Sequence, residues 1–185
     1  MPPHLRLAEE PDPQRRARSV EGPISVVLAD DHRGVRRSIR LLLDVEGGIE
    51  VVAEAGDMEG VRRELSAHRP QVLVLDLGIT DTEGVRTGTI AEIVRLRARA
   101  PDTEIVAVTM NDSLAFARGA LEAGAVGFVL KDLADTDLPR AIRAAAAGRE
   151  YVTPRLGERL AAPRHALGGV RGVPWGGIRW RGANQ

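Results

Sequence analysis

Five short apolar runs are the feature that most restricts how this chain can fold. They are rich in Val, Ile and Leu, and they do not alternate apolar with polar residues. Strands with one face in water alternate in that way, whereas parallel strands covered on both faces do not. The sequence therefore predicts five buried parallel strands, near residues 24–29, 50–54, 71–75, 104–108 and 126–130.

Helical patterns separate these runs. In residues 34–45, the apolar side chains of Val35, Ile39, Leu42 and Leu43 recur at the spacing of one helical face. The remaining stretches predict four more helices, near residues 57–68, 89–100, 113–123 and 136–147.

The ends of the last two helices carry typical cap residues. We expect Gly124 to end the fourth helix and Gly148 to end the fifth, with Thr136 as the N-cap of the fifth. Strand and helix thus alternate five times. That order predicts an α/β domain with a doubly wound, five-stranded parallel sheet and right-handed crossovers.

Composition limits the function classes. The chain has 185 residues, no net formal charge and no cysteine, so it has neither a global field that attracts nucleic acid nor thiolate metal sites. No apolar stretch approaches the length of a membrane span, and the N-terminus lacks the apolar core of a signal peptide. A cytoplasmic protein without membrane contact is the expectation.

The two ends of the chain differ from its middle. Residues 1–22 are polar and contain four prolines, which predicts a disordered leader. The strand and helix patterns predict a folded domain over residues 23–150. Residues 151–185 are predicted to be a linker followed by a tail rich in Gly and Arg, without helical periodicity.

Polar side chains follow four of the apolar runs directly. Asp30 and Asp31 follow the first run, Asp76 the third, Thr109 the fourth and Lys131 the fifth, and Lys131 is the only lysine among 26 basic residues. The carboxyl ends of parallel strands share one edge of the sheet, where ligands bind. We therefore expect these five side chains to converge.

Such a cluster predicts a particular chemistry. Two carboxylates ~4 Å apart repel by about 4 kcal/mol at an effective dielectric constant near 20, so a cation is needed among them. Oxygen ligands without His or Cys suit Mg²⁺, and a carboxylate beside that ion can accept a phosphoryl group. An ammonium and a hydroxyl can then contact the phosphoryl oxygens.

Several longer motifs resemble one family. The sequence is similar to the receiver domain of bacterial response regulators, in the subgroup with a LuxR-type helix-turn-helix output (NarL/FixJ-like), whose fold is the flavodoxin/CheY-like (βα)5 receiver. The resemblance covers roughly residues 23–160. Its motifs are "ADDH" at 29–32, "VVAEAGD" at 51–57, "RPQVLVLDL" at 69–77, "EAGAVGFVLKD" at 122–132 and "AIRAAAAGREYVTP" at 141–154.

The resemblance implies a phosphorylation site with a metal. Asp76 would accept a phosphoryl group from a sensor histidine kinase. Asp30 and Asp31, together with Asp76 and the backbone carbonyl of Gly78, would hold Mg²⁺. The implied protein is a phosphorelay regulator of transcription rather than an enzyme.

The same resemblance implies roles for three further residues. Thr109 and Lys131 would contact the phosphoryl oxygens, and Thr109 would move on activation together with Phe128, at the position of the aromatic switch. A homodimer is compatible with the family. DNA would be a partner only if the protein has an output domain.

Three departures keep alternatives open. Ile79 and Thr80 stand where the family usually has Met-Pro, the stretch from Asp76 to Thr109 is a few residues longer than usual, and the motif that opens the helix-turn-helix does not appear. A receiver that serves only as an interaction module, without phosphorylation, is one alternative. A phosphatase of the haloacid dehalogenase type is less compatible, because Gly78 occupies the position of its general acid.

Overall fold

The computed structural model describes residues 22–80 and 90–161. Residues 1–21 of the predicted leader, most of the long loop after Asp76 and the tail from residue 162 lie outside these ranges. Among the described residues, no helix is long and apolar enough to cross a membrane.

The core of the structure is a parallel sheet in the order β2-β1-β3-β4-β5-β6. The prediction of a doubly wound parallel sheet is confirmed, but the described sheet has six strands where the sequence predicts five. The sixth contains two residues at the edge of the sheet, too few for an apolar run to reveal. The strands are β1 (Ile24–Ala29), β2 (Ile49–Ala55), β3 (Val72–Asp76), β4 (Glu104–Thr109), β5 (Gly127–Leu130) and β6 (Tyr151–Val152).

In the described part of the chain, five helices connect the strands near the predicted positions, and a sixth follows β6 in the segment that the sequence predicts to be a linker. They are α1 (Arg33–Asp44), α2 (Met58–His68), α3 (Ile90–Arg99), α4 (Leu114–Glu122), α5 (Ala134–Ala146) and α6 (Pro154–Ala161).

The predicted ends of α4 and α5 are confirmed, but the predicted start of α5 is wrong. Gly124 and Gly148 follow the two helices with φ of 107° and 66°, values that favour glycine. A 3-10 turn at Lys131–Leu133 leads directly into α5, so Leu133 is the N-cap. Thr136 lies in the first turn, where its N–H donates to Oδ1 of Asp135.

Helices cover both faces of the sheet, which explains the apolar runs. Along β1, Val27 and Ala29 pack on the face covered by α2, α3, α4 and α6, whereas Val26 and Leu28 pack on the face covered by α1 and α5. Both sets of side chains are almost fully buried. The interior strands β1, β3, β4 and β5 must therefore be apolar on both faces, with polar residues confined to their ends.

Residues after β5 continue the fold. Tyr151 and Val152 pair with Gly127 and Phe128 in parallel register. The Leu130 N–H donates to Oγ1 of the fully buried Thr153 at 3.2 Å. The segment from residue 151 to residue 161 therefore packs against the last long strand of the sheet.

Candidate functional site

Asp30 and Asp31 follow β1 at the carboxyl edge of the sheet. Asp30 is 1% exposed, and its Oδ1 accepts the His32 N–H at 2.8 Å. The Asp31 side chain is 17% exposed. Oδ1 of Asp31 is buried and has no hydrogen-bond donor among the described residues. The end of β1 thus presents one fixed carboxylate and one with an unpartnered oxygen.

Asp76 is the last residue of β3, between β1 and β4 in the sheet. It is 4% exposed, and its Oδ1 accepts the Gly78 N–H at 3.0 Å. A Cβ on residue 78 would lie 3.3 Å from Oδ2 of Asp76, closer than most real contacts. Glycine at this position therefore keeps the approach to the Asp76 carboxylate open.

Lys131 connects two of these carboxylates. Its Nζ lies 2.7 Å from Oδ2 of Asp30 and 2.8 Å from Oδ2 of Asp76. Burial lowers the pKa of the ammonium, but the hydrogen bonds and charges of the two carboxylates outweigh burial, so the pKa lies above its ordinary value of 10.5. Lys131 is therefore a fixed positive charge at the site.

The acidic cluster has the donors of a divalent metal site. One ligand atom each from Asp30, Asp31, His32 and Asp76 lie within 4.8 Å of one another. Three of these residues offer carboxylate oxygens, which are the ligands of Mg²⁺, and Oδ1 of Asp31 accepts no hydrogen bond among the described residues. The residues present therefore fit Mg²⁺.

Thr109 ends β4, the strand next to Asp76. It is 6% exposed, and its Oγ1 accepts the Asn111 N–H at 3.1 Å. Asp76 pairs with Val108 in the sheet, and Thr109 is the next residue along β4. The five predicted strand-end residues thus lie at one edge.

Phe128 lies elsewhere. It is fully buried in the middle of β5, within the apolar cluster on the α4 side of the sheet. Core packing alone accounts for this position. Its assignment as a switch stays a prediction.

Two residues near the site have contacts that the sequence pattern does not reveal. Arg36, one of the arginines of α1, is only 17% exposed, donates from Nη1 to the Asp30 carbonyl at 2.5 Å and pairs with Glu54. His32 is 72% exposed, as its place before the first helix suggests, yet its Nδ1 lies 2.6 Å from Oδ1 of Asp31. The Arg36–Glu54 pair joins α1 to β2, whereas the His32 contact lies within the turn between β1 and α1.

The parallel sheet, with acidic residues and a lysine at its carboxyl edge, defines a CheY-like receiver fold. Residues 26–143 match the response regulator receiver domain. The chain belongs to this family.

Several known regulators are similar to this chain over most of its length. The oxygen regulatory protein NreC of Staphylococcus epidermidis is 35% identical over 72% of this chain and 59% of its own length. The DNA-binding transcriptional activator DevR/DosR of Mycobacterium tuberculosis is 35% identical over 75% of this chain and 62% of its own length. The chain thus spans about three fifths of these relatives.

A solved structure agrees with the fold. The LuxR-family response regulator from Aurantimonas sp. superposes with a TM-score of 0.69 at 34% identity, covering 76% of this chain and 96% of that one. The likeness therefore extends over almost the whole of that molecule.

Proposed function

We propose that this chain is the receiver of a two-component phosphorelay, and that Asp76 accepts the phosphoryl group with Mg²⁺. The observation that carries the proposal is the convergence of Asp30, Asp76 and Lys131 from three strands onto contacts below 3 Å. Membership of the receiver family supports it. Neither alternative from the sequence is favoured by these relatives.

The chemistry is a nucleophilic displacement at phosphorus. A carboxylate oxygen of Asp76 attacks the phosphorus of a phosphohistidine on the kinase, a P–O bond forms, and the P–N bond breaks with its electron pair left on the imidazole. The product is an acyl phosphate on Asp76. Mg²⁺, held by Asp30, Asp31, Asp76 and the Gly78 carbonyl, would neutralise charge on the phosphoryl oxygens.

Two side chains take up the rest of the charge. Lys131 already faces Oδ2 of Asp76, so its ammonium can move from that oxygen to a phosphoryl oxygen without leaving the site. The Thr109 hydroxyl, at the end of the adjacent strand, can donate to another oxygen. Neither group needs to exchange a proton for this step.

The partners follow from this role. A sensor histidine kinase is the proposed donor, and regulation of transcription is the proposed output, as the name of the DevR/DosR relative suggests. DNA contact would require an output domain, and a homodimer would bring two such domains together.

Intact-mass measurement tests the proposal. The full chain is incubated with Mg²⁺ and acetyl phosphate, and one added phosphoryl group is expected on wild type and none on Asp76→Asn. Asp102→Asn, an exposed carboxylate before the amino end of β4, is the matched control and should be modified like wild type. Absence of modification on wild type, or equal modification of Asp76→Asn, contradicts the proposal.

A further inference from the structure

His32 lies beside the acidic cluster at the start of α1. It is the N-cap of α1, yet its side chain makes no capping hydrogen bond. An N-cap side chain usually accepts a bond from the first turn of its helix. The ring is 72% exposed, so burial does not determine its position.

The ring nitrogen points at the cluster. Nδ1 of His32 lies 2.6 Å from Oδ1 of Asp31 and 3.7 Å from Oδ1 of Asp30. The shorter contact lacks the alignment of a hydrogen bond, since that oxygen of Asp31 has no donor among the described residues. Two such atoms this close together are held by a positive charge between them, either a proton on the ring or a metal ion that both atoms bind.

The spacing of these atoms matches one coordination sphere. An ion with ligands at about 2.1 Å places neighbouring ligand atoms about 3 Å apart and opposite ones about 4.2 Å apart. The Nδ1–Oδ1 pair of His32 and Asp31 is close to the first distance. The ligand atoms of all four residues lie within 4.8 Å of one another. Small side-chain movements would bring the most distant of them to the 4.2 Å expected for opposite ligands.

A nitrogen ligand changes which metal the site prefers. Mg²⁺ takes oxygen ligands and gains little from imidazole. Imidazole suits Ni²⁺ and other late first-row ions, whose affinity for mixed nitrogen and oxygen sites also exceeds that of Mn²⁺. A cluster with His32 would therefore bind late transition metals more tightly than three carboxylates alone.

We propose that His32 is an additional ligand of the ion held by Asp30, Asp31 and Asp76, and that it gives the site a preference for Ni²⁺ and Co²⁺ over Mg²⁺. The inference rests on the metal site of the proposed function. It adds a residue, and a class of ion, to that site.

Calorimetric titration of the untagged full chain with NiCl₂ and with MgCl₂ tests this. His32→Gln should weaken Ni²⁺ binding by about tenfold or more, as loss of a ligand or its support does, and leave Mg²⁺ binding nearly unchanged. Co²⁺ should give a visible absorption spectrum that changes in the variant. Equal Ni²⁺ affinity in wild type and variant, or equal weakening for both ions, overturns the proposal.

His68→Gln is the matched control. His68 ends α2 and its Nε2 lies 3.4 Å from Glu64, so this variant also loses one imidazole and should keep the wild-type affinities. The metal-free melting temperature of His32→Gln should equal that of wild type, because the ring is exposed. Ni²⁺ binding that depends on His32 in a chain that takes up no phosphoryl group would refute the proposed function alone.

Discussion

The Nζ atom of Lys131 lies 2.8 Å from Oδ2 of Asp76, although β4 separates β3 from β5 in the sheet. The same ammonium lies 2.7 Å from Oδ2 of Asp30, after β1. One positive charge therefore faces two buried carboxylates, with a third, Asp31, beside them. Replacing Lys131 or Asp76 measures how much this ammonium stabilises the metal-free fold.

Lys131→Met should lower the free energy of unfolding of the metal-free protein by about 3 kcal/mol, because it leaves two buried carboxylates without their cation. Urea denaturation with a chelator present measures this. Adding Asp76→Asn to Lys131→Met should recover part of the loss, since one of the two carboxylates is then neutral. Strictly additive effects would indicate that the two side chains do not interact.

Asp76→Asn alone should raise the melting temperature of the metal-free protein. The substitution relieves repulsion with Asp30 and Asp31, and Lys131 keeps Asp30 as its partner. Differential scanning calorimetry in a chelator measures the change, and excess Mg²⁺ should reduce the difference from wild type. A lower melting temperature than wild type would mean that the bond to Lys131 outweighs the repulsion.

Leu156→Ala should destabilise the protein by about 2–4 kcal/mol, because the side chain is fully buried in the core beside α4. Glu158→Ala, on the exposed side of the same helix, should change stability by less than about 0.5 kcal/mol. Chemical denaturation of the two variants compares them. Similar stabilities would show that α6 does not belong to the cooperative fold.

Gly127→Ala should destabilise the protein by about 1–3 kcal/mol, because the new Cβ would lie 2.9 Å from Cγ2 of Val106, a stiff side chain on β4. Gly34→Ala is the matched control. It lies in α1 with open space around its Cβ position and should be neutral or slightly stabilising. Thermal melts should separate the two variants, and equal melting temperatures would contradict the tight packing of β4 on β5.

The hydroxyl of Tyr151 should lose its proton at a higher pH than that of an ordinary tyrosine. Burial, followed by the hydrogen bond that its hydroxyl donates to Oδ1 of Asp137, raises the pKa of this tyrosine from 10.0 to about 12. A raised pKa means that folding favours the neutral phenol. This contribution to stability is complete below the unfolded pKa and is lost as pH rises through the folded one.

Tyr151 is the only tyrosine in the chain, so tyrosinate absorbance reports it without overlap from other tyrosines. The native titration should have its midpoint near pH 12, and in urea the midpoint should return to its ordinary value. A native midpoint equal to the one in urea would contradict the contact between β6 and α5.

The strands and the strand-end residues were predictable because they depend on local pattern and on a general rule of parallel sheets. A strand covered on both faces must be apolar, and its carboxyl end must meet those of its neighbours. The 3-10 turn before α5 and the two-residue β6 lack such a pattern, so the sequence wrongly predicts Thr136 as a cap and does not reveal the sixth strand. Domain limits at residues 22 and 150 stay predictions.

The contacts of Arg36 and His32 are not predictable from their positions in the sequence. Arg36 belongs to a run of arginines in α1, and only the placement of β2 beside that helix gives it Glu54 as a partner. His32 faces Asp31 because the chain turns between β1 and α1. Such contacts depend on the direction in which each side chain points, and the periodicity of a sequence does not encode that direction.

The order of the sheet also has a consequence during translation. Asp30 and Lys131 are separated by 101 positions and meet only when β5 has been placed beside β4. A ribosome must therefore have released nearly the whole domain before the lysine can reach its carboxylates. An incomplete nascent polypeptide carries the acceptor aspartate without the charge that completes its surroundings, so the proposed response to a kinase would be restricted to finished molecules.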